Sequence, residues 1–267
     1  MRNANYITRA QVKELAALRV KKFRRKAGLF LVEGAVVIRE ALESGWEIEK
    51  VLVNAQKIED EGMTEFIAAL EAASVQTMPS HGRDMKKLSD TVSPADAVAV
   101  VRSQSRCLDD LKRDGGLRLA VAGGVQDPGN TGAIIRSADA FGLDGLILGK
   151  GCAQWQNGKV IRGAAGSCFH LPIVSEADIV ETMEWLKSNG ARIFAAVSRG
   201  GKDVGEVSVP ERWAVVLGNE TTGPPREALE RCDERISIRM PGGAESLNVA
   251  VSAGIIFYLL GLPVRDK

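Results

Sequence analysis

Histidine and cysteine are scarce in this chain of 267 residues, which has two histidines and four cysteines, Cys107, Cys152, Cys168 and Cys232, with no CxxC pair among them. That spacing argues against a structural zinc, and four dispersed cysteines are ordinary usage for a reducing compartment. The polar, basic start of the sequence lacks the apolar core of a secretory signal, so the expected location is cytoplasmic. No apolar run is long enough for a membrane span: the longest, Val249 to Val264, is interrupted by Ser252, Gly254, Gly261 and Pro263 and falls short of roughly 18 to 20 residues. Net charge is lacking too, with 35 Lys plus Arg against 34 Asp plus Glu, so attraction to a polyanion has to come from local clustering. One such cluster exists. Between Arg9 and Lys26 stand eight basic residues and a single acid, Glu14.

With 45% apolar and 26% charged residues, the composition is that of a globular protein of one large or two modest domains. Short strand patterns (Leu29 to Glu33, Ile48 to Asn54, Val75 to Met78, Ala97 to Val101) alternate with helical ones (Ala35 to Glu43, Thr64 to Ala73, a turn at Met85 to Leu88), which predicts a small α/β unit. Polar residues from Arg102 to Gly116 read as a linker, giving expected boundaries of 1–102, 103–116 and 117–267. The second unit reads as an α/β sandwich with a mostly parallel sheet. Its strands are expected at Leu117 to Ala122, Leu146 to Leu148, Phe169 to Val174, Arg192 to Val197, Trp213 to Leu217 and Arg235 to Arg239. Its helices are expected at Asn130 to Phe141, Asp178 to Lys187 and Leu247 to Leu260, and Gly149 to Gly166 reads as irregular.

Ligands of open α/β sheets gather at the carboxyl ends of strands, and three of the loops there hold unusual residues. The first runs Gly123-Gly124-Val125-Gln126-Asp127-Pro128-Gly129-Asn130-Thr131 into a helix carrying Arg136. A turn capped by Asn130 or Thr131 explains most of it, but not Arg136. The second, Leu217-Gly218-Asn219-Glu220-Thr221-Thr222-Gly223-Pro224-Pro225, ends a buried strand, and Glu220 is the residue a plain turn does not need. The third, Ile238-Arg239-Met240-Pro241-Gly242-Gly243-Ala244-Glu245-Ser246-Leu247-Asn248, leads into an apolar helix with Ser246 as the expected N-cap. There Asn248 is the anomaly, since a buried amide needs a partner. The glycines match neither GxGxxG nor GxxxxGK[ST], which speaks against a dinucleotide enzyme.

In this order the three clusters resemble the three motifs of the SpoU (TrmH) family of RNA ribose 2′-O-methyltransferases, within the SPOUT class. The stretch around Phe23, Arg24 and Gly28-Leu29-Phe30-Leu31-Val32-Glu33-Gly34 is similar to that family's substrate-binding domain. The resemblance implies S-adenosylmethionine as cofactor, contacted by Gly218, Ile238, Met240 and Leu247. It further implies a C-terminal trefoil knot, a homodimer formed through the C-terminal domain, and RNA, most readily structured ribosomal RNA, as the partner. Lys21, Lys22, Arg24 and Arg25 are then expected to neutralise phosphates. Transfer RNA as substrate, or an assembly factor that has lost catalysis, are the alternatives.

Methyl transfer to a ribose 2′-hydroxyl needs the proton removed or the developing negative charge stabilised. The resemblance assigns this to Arg136 as a general base, yet a guanidinium is not deprotonated in proteins. The chemically consistent expectation is that Arg136 stays charged and orients phosphate and ribose, with Asn130, Glu220, Ser246 and Asn248 as a supporting polar shell.

Overall fold

The computed structural model describes residues 6–89 and 95–261, which form two compact units. The end of the apolar run, Leu262 to Val264, lies outside the described residues.

The first unit opens with two short helices, α1 (Arg9–Ala17) and α2 (Lys21–Ala27). A reciprocal Thr8–Gln11 capping box starts α1, satisfying two of the amides that helix geometry leaves without partners. Gly28, at φ +65°, ends α2 in the left-handed conformation that costs glycine least. Then follow β1 (Leu29–Glu33), α3 (Ala35–Glu43), β2 (Ile48–Asn54), α4 (Glu61–Ala72), β3 (Gln76–Ser80), α5 (Gly82–Leu88) and β4 (Ala97–Arg102). The sheet order is β1-β4-β2-β3, with β4 antiparallel to both neighbours and β2 parallel to β3. Leu31, Leu52, Val98 and Val100 from its strands pack against Val12, Leu15, Met85 and Leu88 from α1 and α5.

In the second unit come β5 (Leu117–Gly123), α6 (Pro128–Ala140) and β6 (Gly145–Gly149). The chain then makes an excursion, Gln156–Phe169, that packs with the first unit. It carries α7 (Gly158–Ala164), capped by Asn157, in a stretch whose glycines predict irregular structure. Within the first unit, Arg162 of α7 pairs with the buried Glu33 at 3.1 Å, and Ser89 donates to the same carboxylate at 2.5 Å. The chain returns through β7 (Ile173–Ala177), α8 (Ile179–Ser188), β8 (Arg192–Ala196), β9 (Lys202–Asp203), β10 (Arg212–Gly218), α9 (Arg226–Arg231), β11 (Glu234–Ser237) and α10 (Val249–Gly261).

These strands form one sheet of seven, β7-β6-β5-β10-β8-β11-β9, in which every pairing is parallel. Parallel sheets are covered on both faces, and the central strands show it, with Ala214 to Gly218 of β10 and all of β6 buried. The strand expected at Phe169 to Val174 lies later, at Ile173–Ala177, because Ser167–Phe169 form a tight helical turn. Neither β9 nor α9 is expected from the sequence; two and six residues respectively are too short for a periodicity to register.

Candidate active site

Strand register puts two of the three motif loops side by side. Gly123, the last residue of β5, is paired with Gly218, the last of β10, so the Gly124 and Asn219 loops leave the sheet together. Asn219 fastens them by donating its side-chain amide to the Gly124 carbonyl at 3.0 Å. Its Oδ1 accepts from the Thr221 amide at 2.9 Å, and its backbone exchanges two hydrogen bonds with Gly223, folding residues 219–223 into a tight hairpin. Gly218 makes this possible, since a Cβ there would lie 1.9 Å from the Gly223 carbonyl carbon.

Helix packing supplies the third loop. α10 runs beside α6 in the same direction, with Gly254 over Ser137 and the Phe141 and Tyr258 rings 5.7 Å apart, which sets the two N-termini together. The helix caps differ from those the sequence predicts. Asp127, not Asn130 or Thr131, caps α6, accepting from the Asn130 amide at 2.8 Å; an Asp ahead of a proline in the first turn is the signal that marks it. Asn248, not Ser246, caps α10, its Oδ1 accepting from Ala250 and Val251 amides at 2.9 and 3.3 Å. Asn248 is exposed rather than buried, so the partners it finds are the orphan amides of a helix end.

With its own helix capped by Asp127, Asn130 is left to bridge the loops. Asn248 donates Nδ2 to Asn130 Oδ1 at 2.9 Å, and Asn130 donates Nδ2 to Glu220 Oε1 at 2.6 Å. The direction of this chain is determined by its ends. Asn248 Oδ1 must face the helix amides, so its nitrogen points to Asn130, whose own nitrogen then points to a carboxylate able only to accept. Three segments separated by 90 and 118 residues thus share one polar network.

A pocket of about 450 Å³ adjoins it, lined by Gly218, Glu220, Ile238, Met240, Ser246 and Leu247 among others. All four residues expected to contact the cofactor are there, as are two of the five expected to be catalytic. Asn130 and Asn248 join through Glu220. Arg136 does not. Six residues beyond Asn130, it sits ~9 Å along α6 and about a third of a turn around it, exposed, outside the network and outside this pocket. The loop after β8, with Ser198 and Arg199, also lines the pocket; the sequence marks it only by its place after a strand.

A second pocket of about 600 Å³ lies across the hairpin, and Asn219, Thr222 and Gly223 line both. At its rim Lys150 pairs with Asp178 at 2.9 Å. The hydrogen bond and charge of Asp178 raise the Lys150 ammonium above its ordinary range, and Lys150 in turn holds the Asp178 carboxyl below the usual one. Behind the Gly124 loop, burial pushes the Cys152 thiol up.

In the first unit, Lys21, Lys22 and Arg25 are exposed on α2, as a phosphate-facing role requires. Arg24 corrects the expectation. It is buried, and its Nη1 donates to the Leu18 and Arg19 carbonyls at 3.1 and 2.7 Å, closing the α1–α2 junction from within.

An all-parallel α/β domain with a ligand-sized pocket at its strand ends, rimmed by side chains from three distant loops, has the layout of an enzyme built around a small-molecule cofactor. Comparison with known proteins defines it further. Residues 117–258 match the SpoU rRNA methylase family and residues 9–99 the MRM3-like substrate binding domain. The chain is 34% identical to the Bacillus subtilis 23S rRNA (guanosine(2553)-2′-O)-methyltransferase RlmP over 250 residues, 94% of this chain and 95% of that one. It is 30% identical to the Streptomyces viridochromogenes 23S rRNA (uridine(2479)-2′-O)-methyltransferase, covering 88% of this chain and 83% of that one. The crystal structure of the SpoU methyltransferase AviRb from Streptomyces viridochromogenes in complex with AdoMet superposes with a TM-score of 0.86 at 29% identity, covering 95% and 97% of the two chains. The chain belongs to the SpoU rRNA methylase family. Its activity is that of an S-adenosylmethionine-dependent RNA 2′-O-ribose methyltransferase.

The residues present fit that cofactor. The pocket volume falls within the few hundred Å³ of small-ligand sites. Leu217, Ile238, Met240 and Leu247 offer an apolar slot for a flat adenine, while Ser198, Asn219 and Ser246 offer polar groups and Glu220 and Glu245 bring negative charge for a sulfonium.

Proposed function

We propose that this enzyme methylates a ribose 2′-hydroxyl of ribosomal RNA in the cytoplasm, with Gly218, Ile238, Met240 and Leu247 holding the cofactor. The observation that carries the reading is the Asn248–Asn130–Glu220 network at the mouth of the pocket those four residues line. Both curated relatives described above are named as 23S rRNA 2′-O-methyltransferases, which favours ribosomal RNA as the substrate.

When bound, S-adenosylmethionine supplies an electrophilic methyl group. The chain's own residues supply the rest. Glu220, fixed by Asn130, and Ser246 hold the ribose at the pocket mouth, and Asn248 ties this arrangement to the rigid end of α10. Arg136 stays protonated, binds the phosphate beside the target ribose and stabilises the alkoxide that forms as the proton leaves to water. Lys21, Lys22 and Arg25 add affinity through phosphate contacts.

Arg136 meets the pocket through a second copy of the chain. It lies on α6, whose C-terminal Phe141 forms with Val251 and Tyr258 of α10 an apolar group, each at least 37% exposed, flanked by half-buried Ile255 and Leu259. An apolar surface of this kind is buried on association, and a homodimer through it brings each Arg136 to the partner's pocket.

Methyl transfer from labelled S-adenosylmethionine to purified ribosomal and transfer RNA tests the reading, with the product mapped as an alkali-resistant ribose. Label confined to ribosomal RNA and reduced about a hundredfold or more by Arg136→Ala, with partial activity in Arg136→Lys, supports it. Label in transfer RNA alone overturns the substrate, and equal loss in both variants overturns the electrostatic role. Mixing inactive Arg136→Ala and Glu220→Ala proteins restores activity if the site is shared between copies.

A further inference from the structure

We propose that the second pocket is a nucleobase site, receiving an unstacked base of the substrate RNA within one nucleotide of the methylated ribose. The inference rests on the RNA reading above and extends it to a cavity that the cofactor and the polar network do not use.

Position is the first argument. The pocket lies at the carboxyl ends of four adjacent parallel strands, with Gly123 of β5, Gly149 of β6, Ala177 of β7 and the hairpin after β10 in its lining, where open α/β sheets bind ligands. Its surface chemistry is the second. The Pro225 ring packs over Gly123 and, with Ala177 and Ile179 in the same lining, supplies apolar surface against which a flat heterocycle packs. The rim then carries what reads an edge and a backbone. Gln126 is exposed and makes no side-chain hydrogen bond among the described residues, leaving one acceptor and two donors to meet a base edge. Lys150, 67% exposed at the side chain, spends one ammonium donor on Asp178 at 2.9 Å and has further donors to turn to the attached phosphate.

Distance to the chemistry is the third argument. Residues Asn219, Thr222 and Gly223 line this pocket on one side of the hairpin and the cofactor pocket on the other, and Glu220 sits in the same hairpin. A base held here leaves its own or its neighbour's ribose beside Glu220, so the nucleotide is gripped next to the place where its hydroxyl reacts, while the reacting groups themselves stay on the other side of the hairpin. The volume of about 600 Å³ admits a purine or a pyrimidine, which makes Gln126, rather than size, the residue that selects the base.

The test separates this site from the reading beneath it. Gln126→Ala, Lys150→Ala and the double variant are compared with the wild type for S-adenosylmethionine Kd, for KM toward ribosomal RNA and for kcat at saturating RNA. The proposal expects KM to rise about tenfold or more in the double variant, with cofactor Kd and kcat unchanged, a split that general loss of folding does not produce. In parallel, ribosomal RNA transcribed with 4-thiouridine is irradiated with the wild-type enzyme and the crosslinked peptides are identified. Crosslinks at Gln126, at Lys150 or at Asp178–Ile179 support the site. RNA that is methylated with an unchanged KM in the double variant overturns the pocket alone. RNA that is neither methylated nor crosslinked overturns the ribosomal reading and the pocket together.

Discussion

Arg24 in the first unit and Arg136 in the second stand in helices rich in neighbouring cations or apolar residues, and sequence reasoning assigns both to RNA. The structure uses them in opposite ways. Arg24 is turned inward and its guanidinium closes a helix junction, whereas Arg136 is exposed and makes no hydrogen bond or ion pair among the described residues. A charged group whose donors are taken by backbone contributes to folding; one held in the open on a rigid helix is available to a ligand. The same contrast separates the units. The first carries exposed Lys21, Lys22 and Arg25 on α2, and the second gathers polar residues at the carboxyl ends of central strands in a parallel sheet.

The sharpest way to break the contrast is to disturb those strand ends themselves. Gly218→Ala places a methyl group 1.9 Å from the Gly223 carbonyl carbon and 2.0 Å from the Pro224 nitrogen. Backbone has to move, and overpacking of this severity costs about 3 kcal/mol or more. Calorimetry is expected to show no S-adenosylmethionine binding, with circular dichroism retaining helix and sheet. Binding at wild-type affinity would show that the hairpin is not the wall of the cofactor pocket.

Next in size is the pair of arginine-to-alanine and lysine-to-alanine variants within α2. Arg24→Ala removes a buried guanidinium from two carbonyls, a loss of roughly 2 to 3 kcal/mol, seen as a fall in denaturation midpoint. Lys22→Ala, at an exposed position two residues away, is expected to leave stability within about 0.5 kcal/mol while weakening RNA binding and reducing its salt dependence by about one phosphate contact. If the two variants behave alike in unfolding, the inward turn of Arg24 contributes nothing.

These two positions also show where sequence reasoning reaches its limit. In α2 the phase is inverted relative to hydrophobicity, for Phe23 is 46% exposed and Arg24 8%. Seven residues give less than two turns from which to read a phase, so a run of cations looks uniform. Long buried patterns are legible: the runs at β5 and β10 and the stripe Ile134, Ile135 and Ala138 on α6 lie where periodicity puts them. The motif loops are legible one at a time, but not their convergence, since β10 lies beside β5 only through a strand order that no local pattern encodes. The caps differ from the expected ones for a physical reason. Several residues in each loop are able to cap, and the choice of Asp127 and Asn248 follows from what Asn130 does instead, bridging to a carboxylate 90 residues away.

That bridge gives a prediction of intermediate size. Asn248→Asp keeps an oxygen on the α10 amides but replaces the donor to Asn130 by an acceptor, so two oxygens face each other. Stability is expected to fall by about 1 kcal/mol or less, because the site is exposed, whereas kcat falls more steeply as Asn130 is free to turn and release Glu220. Equal proportional effects on stability and turnover would indicate that the network only holds the fold.

The smallest effect concerns charge in the first unit that serves structure alone. Asp84 is 4% exposed, and its carboxyl is held below the ordinary range by a hydrogen bond from Lys87 at 2.9 Å, with help from the charges of Lys87 and Arg83, against the opposing pull of burial. A carboxyl with a depressed folded value binds fewer protons folded than unfolded, so its contribution is present above the unfolded value near 3.9 and is lost as the pH falls through the folded one. Because the Lys87 side chain is 58% exposed, the pair is worth under about 1 kcal/mol. Asp84→Asn should therefore lower stability by a small constant amount from pH 5 upward, and the difference from wild type should close on acidification below about pH 4. Methyl transfer measured between pH 6 and 9 is expected to be the same for both proteins. A pH-dependent change in turnover in this variant would mean that α5 belongs with the functional surface rather than with the scaffold, and would erase the distinction that Arg24 and Arg136 draw.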